Sequence, residues 1–108
     1  MKRGEIWTVA GSRYATKPRP ALIVQEDAFN ATDSVTVALL TSTLVDAPLM
    51  RIPIAASSTS GLLTESHVMV DKLTTIKRSS VQLRVGRLTA SQLAGVERAI
   101  ATFLGLAS

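Results

Sequence analysis

The chain has 108 residues, of which 46% are apolar, a net charge of +4 and no cysteine. This length and apolar content suit one domain spanning residues 1–108, and the lack of cysteine excludes a disulfide framework and a thiolate metal site. We expect a cytoplasmic protein, because the first residues lack the apolar stretch of a signal peptide and no run approaches the roughly 18 apolar residues of a membrane helix.

Strand signals dominate the chain up to residue 88. Residues 11–18 are predicted to form a polar loop, and residues 27–33 a short turn or single helical turn. The nearly continuous apolar run 34–41 is typical of a central strand, whereas Pro53 assigns residues 50–54 to an edge. β-branched and apolar runs predict strands at residues 5–10, 20–26, 34–41, 50–54, 66–71, 73–76 and 83–88.

One helix is predicted at the C-terminal end. Thr89 and Gln92 have the spacing of a capping box. Apolar residues follow at helical spacing, namely Leu93, Val96, Ile100, Phe103 and Leu104. The pattern as a whole predicts a small, mostly antiparallel β-barrel or curled sheet closed by one C-terminal helix.

Basic residues concentrate in two blocks. Residues 1–20 and residues 71–88 each carry a local charge of +4, whereas residues 21–70 carry −4. If the two blocks converge in the fold, they form a cationic face of the kind that binds polyanions. The alternative is an ordinary solvated surface.

Arg19 stands between Pro18 and Pro20, at the entrance to the apolar strand 20–26. Proline fixes its own φ and restricts the residue before it. Arg19 is therefore a permanent cation on a backbone with little freedom, which suits it to holding a phosphate. A surface ion pair is the alternative.

Other common catalytic arrangements are missing from the sequence. It has one histidine, no carboxylate cluster at metal-ligand spacing and no glycine-rich phosphate loop. His67 lies within a predicted strand, which favours a packed or surface side chain. We therefore expect an enzyme built from this chain to work without metal or cofactor.

Four segments, in this order, resemble the signature of MazF/PemK-type toxins. They are residues 2–7 (KRGEIW), 19–25 (RPALIVQ), 37–41 (VALLT) and 68–76 (VMVDKLTTI). Together with the length and the C-terminal helix, the resemblance covers essentially the whole chain. It implies a small SH3-like antiparallel β-barrel with a C-terminal α-helix, and usually a homodimer.

The resemblance also implies an activity. It implies a sequence-specific, metal-independent endoribonuclease that cleaves single-stranded RNA, an mRNA interferase that regulates growth and is inhibited by a cognate MazE-like antitoxin. The expected products carry a 2′,3′-cyclic phosphate and a 5′-hydroxyl. The family's catalytic arginine corresponds to Arg19 and its catalytic threonine to Thr41.

The roles of these two residues follow from their chemistry. Arg19 is expected mainly to stabilise charge on the phosphoryl group, because a guanidinium with a pKa above about 12 is a poor base. Thr41 is expected to give a hydroxyl hydrogen bond to a phosphate oxygen. Which group accepts the 2′-hydroxyl proton is left open.

Four further residues are expected to contact RNA. Tyr14, the aromatic residue of the 11–18 loop, is a candidate stacking platform for a base. Lys17 and Lys72 are candidate phosphate contacts, and a solvated lysine is the alternative for Lys72. Asp71 stands where family members often carry an acidic residue near the RNA, with a structural turn cap as its alternative.

The sequence departs from the family pattern at Thr74, where many relatives carry an arginine or histidine, and at Met69, where some carry a catalytic arginine. Either the catalytic arginine then bears more of the reaction, or Lys72, Lys77 and Arg78 compensate, or activity is weak. Two alternatives are a non-catalytic CcdB-type toxin acting on DNA gyrase and an RNA-binding barrel without catalysis. The first is disfavoured because the C-terminal tail lacks an aromatic residue.

Overall fold

A computed structural model describes residues 1–11 and 15–107, with the backbone only at residues 15 and 16. The strands are β1 (Glu5–Gly11), β2 (Ala15–Ile23), β3 (Ser34–Thr41), β4 (Arg51–Ile54), β5 (Ser66–Lys77) and β6 (Val81–Arg87). They form one antiparallel sheet in the order β4-β5-β3-β2-β1-β6, and the helix α1 (Ala90–Phe103) follows. The fold class predicted from the sequence is confirmed, although β4 and β6 are edges and do not pair with each other to close the sheet.

Apolar side chains are buried on both faces of this sheet. The two clusters include Ile6, Leu22, Leu40, Val68 and Val96 on one side, and Val9, Ile23, Val35, Val37 and Ile76 on the other. β3 contributes to both clusters, since Leu40 belongs to the first and Val37 to the second. The prediction of a central strand at residues 34–41 is confirmed.

The C-terminal helix covers one end of the first cluster. Its predicted capping box is present: the Thr89 hydroxyl accepts the Gln92 N–H, and the Gln92 side chain accepts the Thr89 N–H. Val96 is fully buried against the sheet. An ion pair of 2.6 Å between Arg3 Nη1 and Glu97 Oε2 joins the helix to the N-terminal segment. Across the described ranges, no helix combines the length and the apolar character needed to cross a membrane.

Two of the local predictions concern short segments and both are confirmed. Residues 27–29 form a single turn of 3-10 helix, within the predicted turn at 27–33. β4, which contains Pro53, lies at the edge of the sheet. Proline can occupy such a strand because an edge leaves one row of backbone groups unpaired.

The prediction of two strands at 66–71 and 73–76 is wrong, because β5 runs without a break from residue 66 to residue 77. β3 pairs Leu40 with Val68 and Ala38 with Leu73, so β5 accommodates extra residues as a bulge in this interval. The bulge is supported from the other side, where the Val70 N–H donates to the Met50 carbonyl at 2.8 Å. The polar residues that suggested a turn therefore lie within an irregular strand.

The predicted polar loop at 11–18 is also too long. β1 extends to Gly11 and β2 begins at Ala15, with Gly11 paired to Ala15 and Val9 to Arg19. The sequence gives no strand signal there, because glycine, proline and polar or charged residues replace the apolar alternation of a strand. Residues 12–14 lie outside the described part of the chain.

Candidate active site

A pocket opens where β2 separates from β3. The ladder between them runs from Ile23 to Ala21, and Ala21 is the partner of Leu39. The next residue of β2, Pro20, has no N–H to donate, whereas β3 continues to Thr41 through pairs with β5. Arg19 and Thr41 both line the resulting pocket, whose volume is about 520 Å³.

Thr41 is the last residue of β3 and is partly buried. Its hydroxyl oxygen accepts the Thr43 N–H at 3.1 Å, which fixes the side chain at the start of the following turn. A hydroxyl that accepts one bond still has its own hydrogen to donate, and no described residue accepts it. Thr41 therefore has a donor free for a ligand in the pocket.

Arg19 is exposed. Its backbone pairs with Val9 of β1, and its side chain makes neither a hydrogen bond nor an ion pair with any residue that the structure describes. It is the one charged side chain in the described lining of the pocket. By contrast, the N-terminal and β6 arginines Arg3 and Arg84 are paired with Glu97 and Glu5. The Arg19 guanidinium is therefore available to an anion.

The rest of the described lining combines hydroxyl groups with apolar side chains. Thr8 and Thr64 are among the former, and Leu39 and Met69 among the latter. Met69 gives the pocket an apolar wall.

Sequence reasoning missed the contribution of residues 61–64, which also line the pocket. They lie in the loop between β4 and β5, far in sequence from β2 and β3. Their composition gave no signal of this beyond the turn residue Gly61, because the contact depends on how the loop folds onto the sheet.

Asp71 is engaged by a neighbouring arginine and does not line the pocket. Arg51 Nε donates to its Oδ1 at 2.9 Å, and Arg51 Nη2 donates to its Oδ2 at 3.2 Å. These hydrogen bonds lower the pKa of the Asp71 carboxyl below its ordinary value of 3.8, against an opposing effect of burial. The carboxylate thus links β4 to β5 next to the bulge.

Two more of the predicted RNA contacts are not part of the described lining. Lys17 and Lys72 are exposed and are not among the residues that line the pocket. Tyr14 falls outside the described residues. The structure therefore brings together the two predicted catalytic residues but not Lys17, Asp71 or Lys72.

Two of the three cations expected to compensate for Met69 and Thr74 lie at the other end of the sheet. Lys77 is the partner of Ser34 at the start of β3, seven residues from Thr41, a contour distance of about 23 Å along the strand. The Arg78 guanidinium donates to the Thr32 carbonyl. Neither side chain reaches the pocket.

His67 is buried, with 8% of its surface exposed, and is not among the residues that line the pocket. Of the two alternatives expected for His67, a packed or a surface side chain, the structure shows the packed one. Its backbone pairs with Thr41, and its Nδ1 has no hydrogen-bond partner within the described residues.

Comparisons with known proteins agree with the resemblance seen in the sequence. Residues 2–104 match the model of a family described as PemK-like, MazF-like toxins of type II toxin–antitoxin systems. A probable endoribonuclease MazF of Mycolicibacterium smegmatis is 49% identical over 108 residues, which are 99% of each chain. Endoribonuclease MazF9 of Mycobacterium tuberculosis is 30% identical over 98% of each chain.

Solved structures give the same result. An endoribonuclease in complex with its cognate antitoxin, from a mycobacterial species, superposes with a TM-score of 0.83 at 25% identity, covering 100% of this chain and 98% of that one. The Mycobacterium tuberculosis toxin MazF-mt6 superposes with a TM-score of 0.82 at 27% identity, covering 96% and 99%. The resemblance inferred from four short segments is confirmed over nearly the whole chain.

Proposed function

Because the chain belongs to the PemK-like, MazF-like toxins of type II toxin–antitoxin systems, we propose that it is a sequence-specific endoribonuclease that cleaves single-stranded RNA without a metal ion. The observation that carries the proposal is that Arg19 and Thr41 line the same pocket, each with a hydrogen-bond donor free for a ligand. This function is favoured over the two alternatives, a gyrase-directed CcdB-type toxin and a non-catalytic RNA-binding barrel, by the endoribonucleases among its relatives.

In the proposed reaction the 2′-oxygen of one ribose attacks the adjacent phosphorus. The bond from O2′ to phosphorus forms, the bond from phosphorus to O5′ breaks, and the products are a 2′,3′-cyclic phosphate and a 5′-hydroxyl. Negative charge grows on the phosphoryl oxygens in the transition state, where preorganised donors have their largest effect. Arg19 supplies a forked, charged donor for these oxygens, and the Thr41 hydroxyl supplies a neutral one.

Neither residue is a base, so the 2′-hydroxyl proton needs another acceptor. The described lining contains no carboxylate and no imidazole. This favours a water molecule or a phosphate oxygen as the acceptor. In this proposal Arg19 also donates a proton towards the leaving O5′ as the charge on that oxygen grows.

The proposed assembly follows from the same relatives. A mycobacterial endoribonuclease of the same fold is held in complex with its cognate antitoxin. We expect this chain to have a MazE-like antitoxin, to act as a homodimer and to meet its RNA in the cytoplasm.

The test compares four purified proteins on a long single-stranded RNA in buffer with EDTA: wild type, Arg19→Ala, Thr41→Ala and Arg98→Ala. Arg98 is the matched control, since it is an exposed arginine of α1 that does not line the pocket. Removing a transition-state donor is expected to lower kcat by about 10²–10³-fold for Arg19→Ala and by somewhat less for Thr41→Ala. Arg98→Ala is expected to keep wild-type activity.

In the same experiment, sequencing the 5′ ends of the cleavage products identifies the RNA sequence at which the protein cuts. New ends that accept a phosphate from polynucleotide kinase show the expected 5′-hydroxyl. Absence of cleavage by the wild type, or equal cleavage by Arg19→Ala, contradicts the proposal.

A further inference from the structure

The apolar side chain of Leu63 is exposed to solvent at the wall of the pocket. It is 100% exposed, against 77% for Leu106, the next most exposed large apolar residue of the described chain. It lines the same pocket as Arg19 and Thr41. An isolated exposed leucine needs no explanation by itself, but Leu63 follows a segment of the loop whose backbone is firmly held.

The loop that carries Leu63 is fixed by its own hydrogen bonds. The Gly61 N–H donates to the Ser57 carbonyl at 2.9 Å. Ser60 is 1% exposed, and its hydroxyl donates to the Ala55 carbonyl at 2.9 Å while accepting the Leu62 N–H at 3.3 Å. The residues just before Leu63 are therefore held by a buried hydroxyl.

The same loop also packs directly on β6, backbone against backbone. A Cβ at Gly61, whose φ is +70°, would lie 1.9 Å from the Val85 carbonyl oxygen. The Arg87 N–H donates to the Thr59 carbonyl at 3.0 Å. Since little space remains between loop and strand, the backbone that leads into Leu63 is held relative to the pocket.

We propose that Leu63 is a substrate-positioning residue that contacts the face of a nucleobase next to the cleaved phosphate. The inference rests on the proposed function and extends it to base binding. Arg19, the one charge in the described lining, holds the phosphate, and the adjoining base then meets the apolar wall that Leu63 forms. The bases of single-stranded RNA can be splayed out of the stack. Burial of the apolar face of such a base against Leu63 is favourable, because it removes apolar surface from water.

The first experiment measures steady-state cleavage by Leu63→Ala on a short RNA that contains the mapped motif. The contact exists in both the ground state and the transition state, so KM is expected to rise about tenfold while kcat stays unchanged. Leu63→Phe is expected to leave KM unchanged or to lower it, because an aromatic ring stacks on any base. Leu106→Ala is the matched control, since Leu106 is similarly exposed and does not line the pocket.

The second experiment identifies the position in the RNA of the base that contacts Leu63. The same RNA is prepared with an abasic ribose at each position in turn around the cleaved phosphate, and kcat/KM is measured for wild type and Leu63→Ala. The inference expects one adjacent position at which the abasic change and Leu63→Ala together cost no more than the abasic change alone.

The outcomes separate the two proposals. Wild-type cleavage with unchanged kinetics of Leu63→Ala, or fully additive effects at every position, overturns the role of Leu63 and leaves the endoribonuclease proposal standing. Absence of cleavage by the wild type overturns both. A fall in kcat that accompanies a lowered melting temperature of Leu63→Ala shows a structural role and also overturns the inference.

Discussion

Gly86 lies where β6 meets the loop that carries the pocket wall, and Gly86→Ala tests this packing. Gly86 is buried, and a Cβ there would lie 2.2 Å from the Ser60 carbonyl oxygen and 2.5 Å from the Thr59 carbonyl oxygen. Because Cβ contacts below 3.0 Å essentially never occur, the loop must retreat by at least about 0.8 Å. Overpacking and the weakened Arg87 to Thr59 hydrogen bond together predict a loss of roughly 2–4 kcal/mol in the free energy of unfolding.

The matched control is the same chemical change in the helix. A Cβ at Gly95 would have only Arg98 Nη2 within 4 Å, at 3.9 Å. Alanine in a helix interior is more stable than glycine by about 0.5–1 kcal/mol, so Gly95→Ala is expected to stabilise the protein. Urea unfolding at a fixed protein concentration, followed by circular dichroism, measures both. A Gly86→Ala protein within about 0.5 kcal/mol of wild type, or an equal loss in Gly95→Ala, would refute the packing argument.

Two further changes test individual interactions. Hydrogen bonds from Arg51 lower the pKa of Asp71 in the folded protein below its ordinary value of 3.8. The pair therefore stabilises the fold fully at pH values above 3.8, and this contribution is lost as the pH falls through the folded-state pKa. Asp71→Asn is therefore expected to lower the free energy of unfolding by about 1 kcal/mol at pH 7 and by progressively less as the pH falls below 3.8, and a difference independent of pH would contradict this. Thr89→Ala removes the capping box of α1 and is expected to cost about 1 kcal/mol in thermal unfolding; Thr89→Ser is its control, and equal losses in both variants would exclude capping as the cause.

The features that sequence reasoning predicted well are set by neighbouring residues. The capping box of Thr89 and Gln92 depends on a spacing of three, and the apolar positions of the helix depend on its period. Pro53 indicates an edge strand because it lacks one donor. Such signals are complete within a few residues, so the helix and the edge strand could be identified without the fold.

The features that it missed depend on pairing between distant segments. Asp71 and its neighbour Lys72 have the composition of a turn, and only the register against β3 and β4 keeps them inside β5. Residues 61–64 enter the pocket because glycine in the loop and in β6 lets two backbones touch. No local pattern encodes these contacts.

Arg19 shows how a local signal and a distant one combine at the candidate site. In the sequence, Pro18 and Pro20 only restrict the backbone of a cation. In the fold, Pro20 also stands where the ladder from β2 to β3 ends, and Thr41 lies on the strand that continues. A residue with an N–H at position 20 could extend the ladder towards Thr41 and narrow the pocket. The proline therefore contributes twice to the site, because it restrains the arginine and withholds the donor that would close the space in front of it.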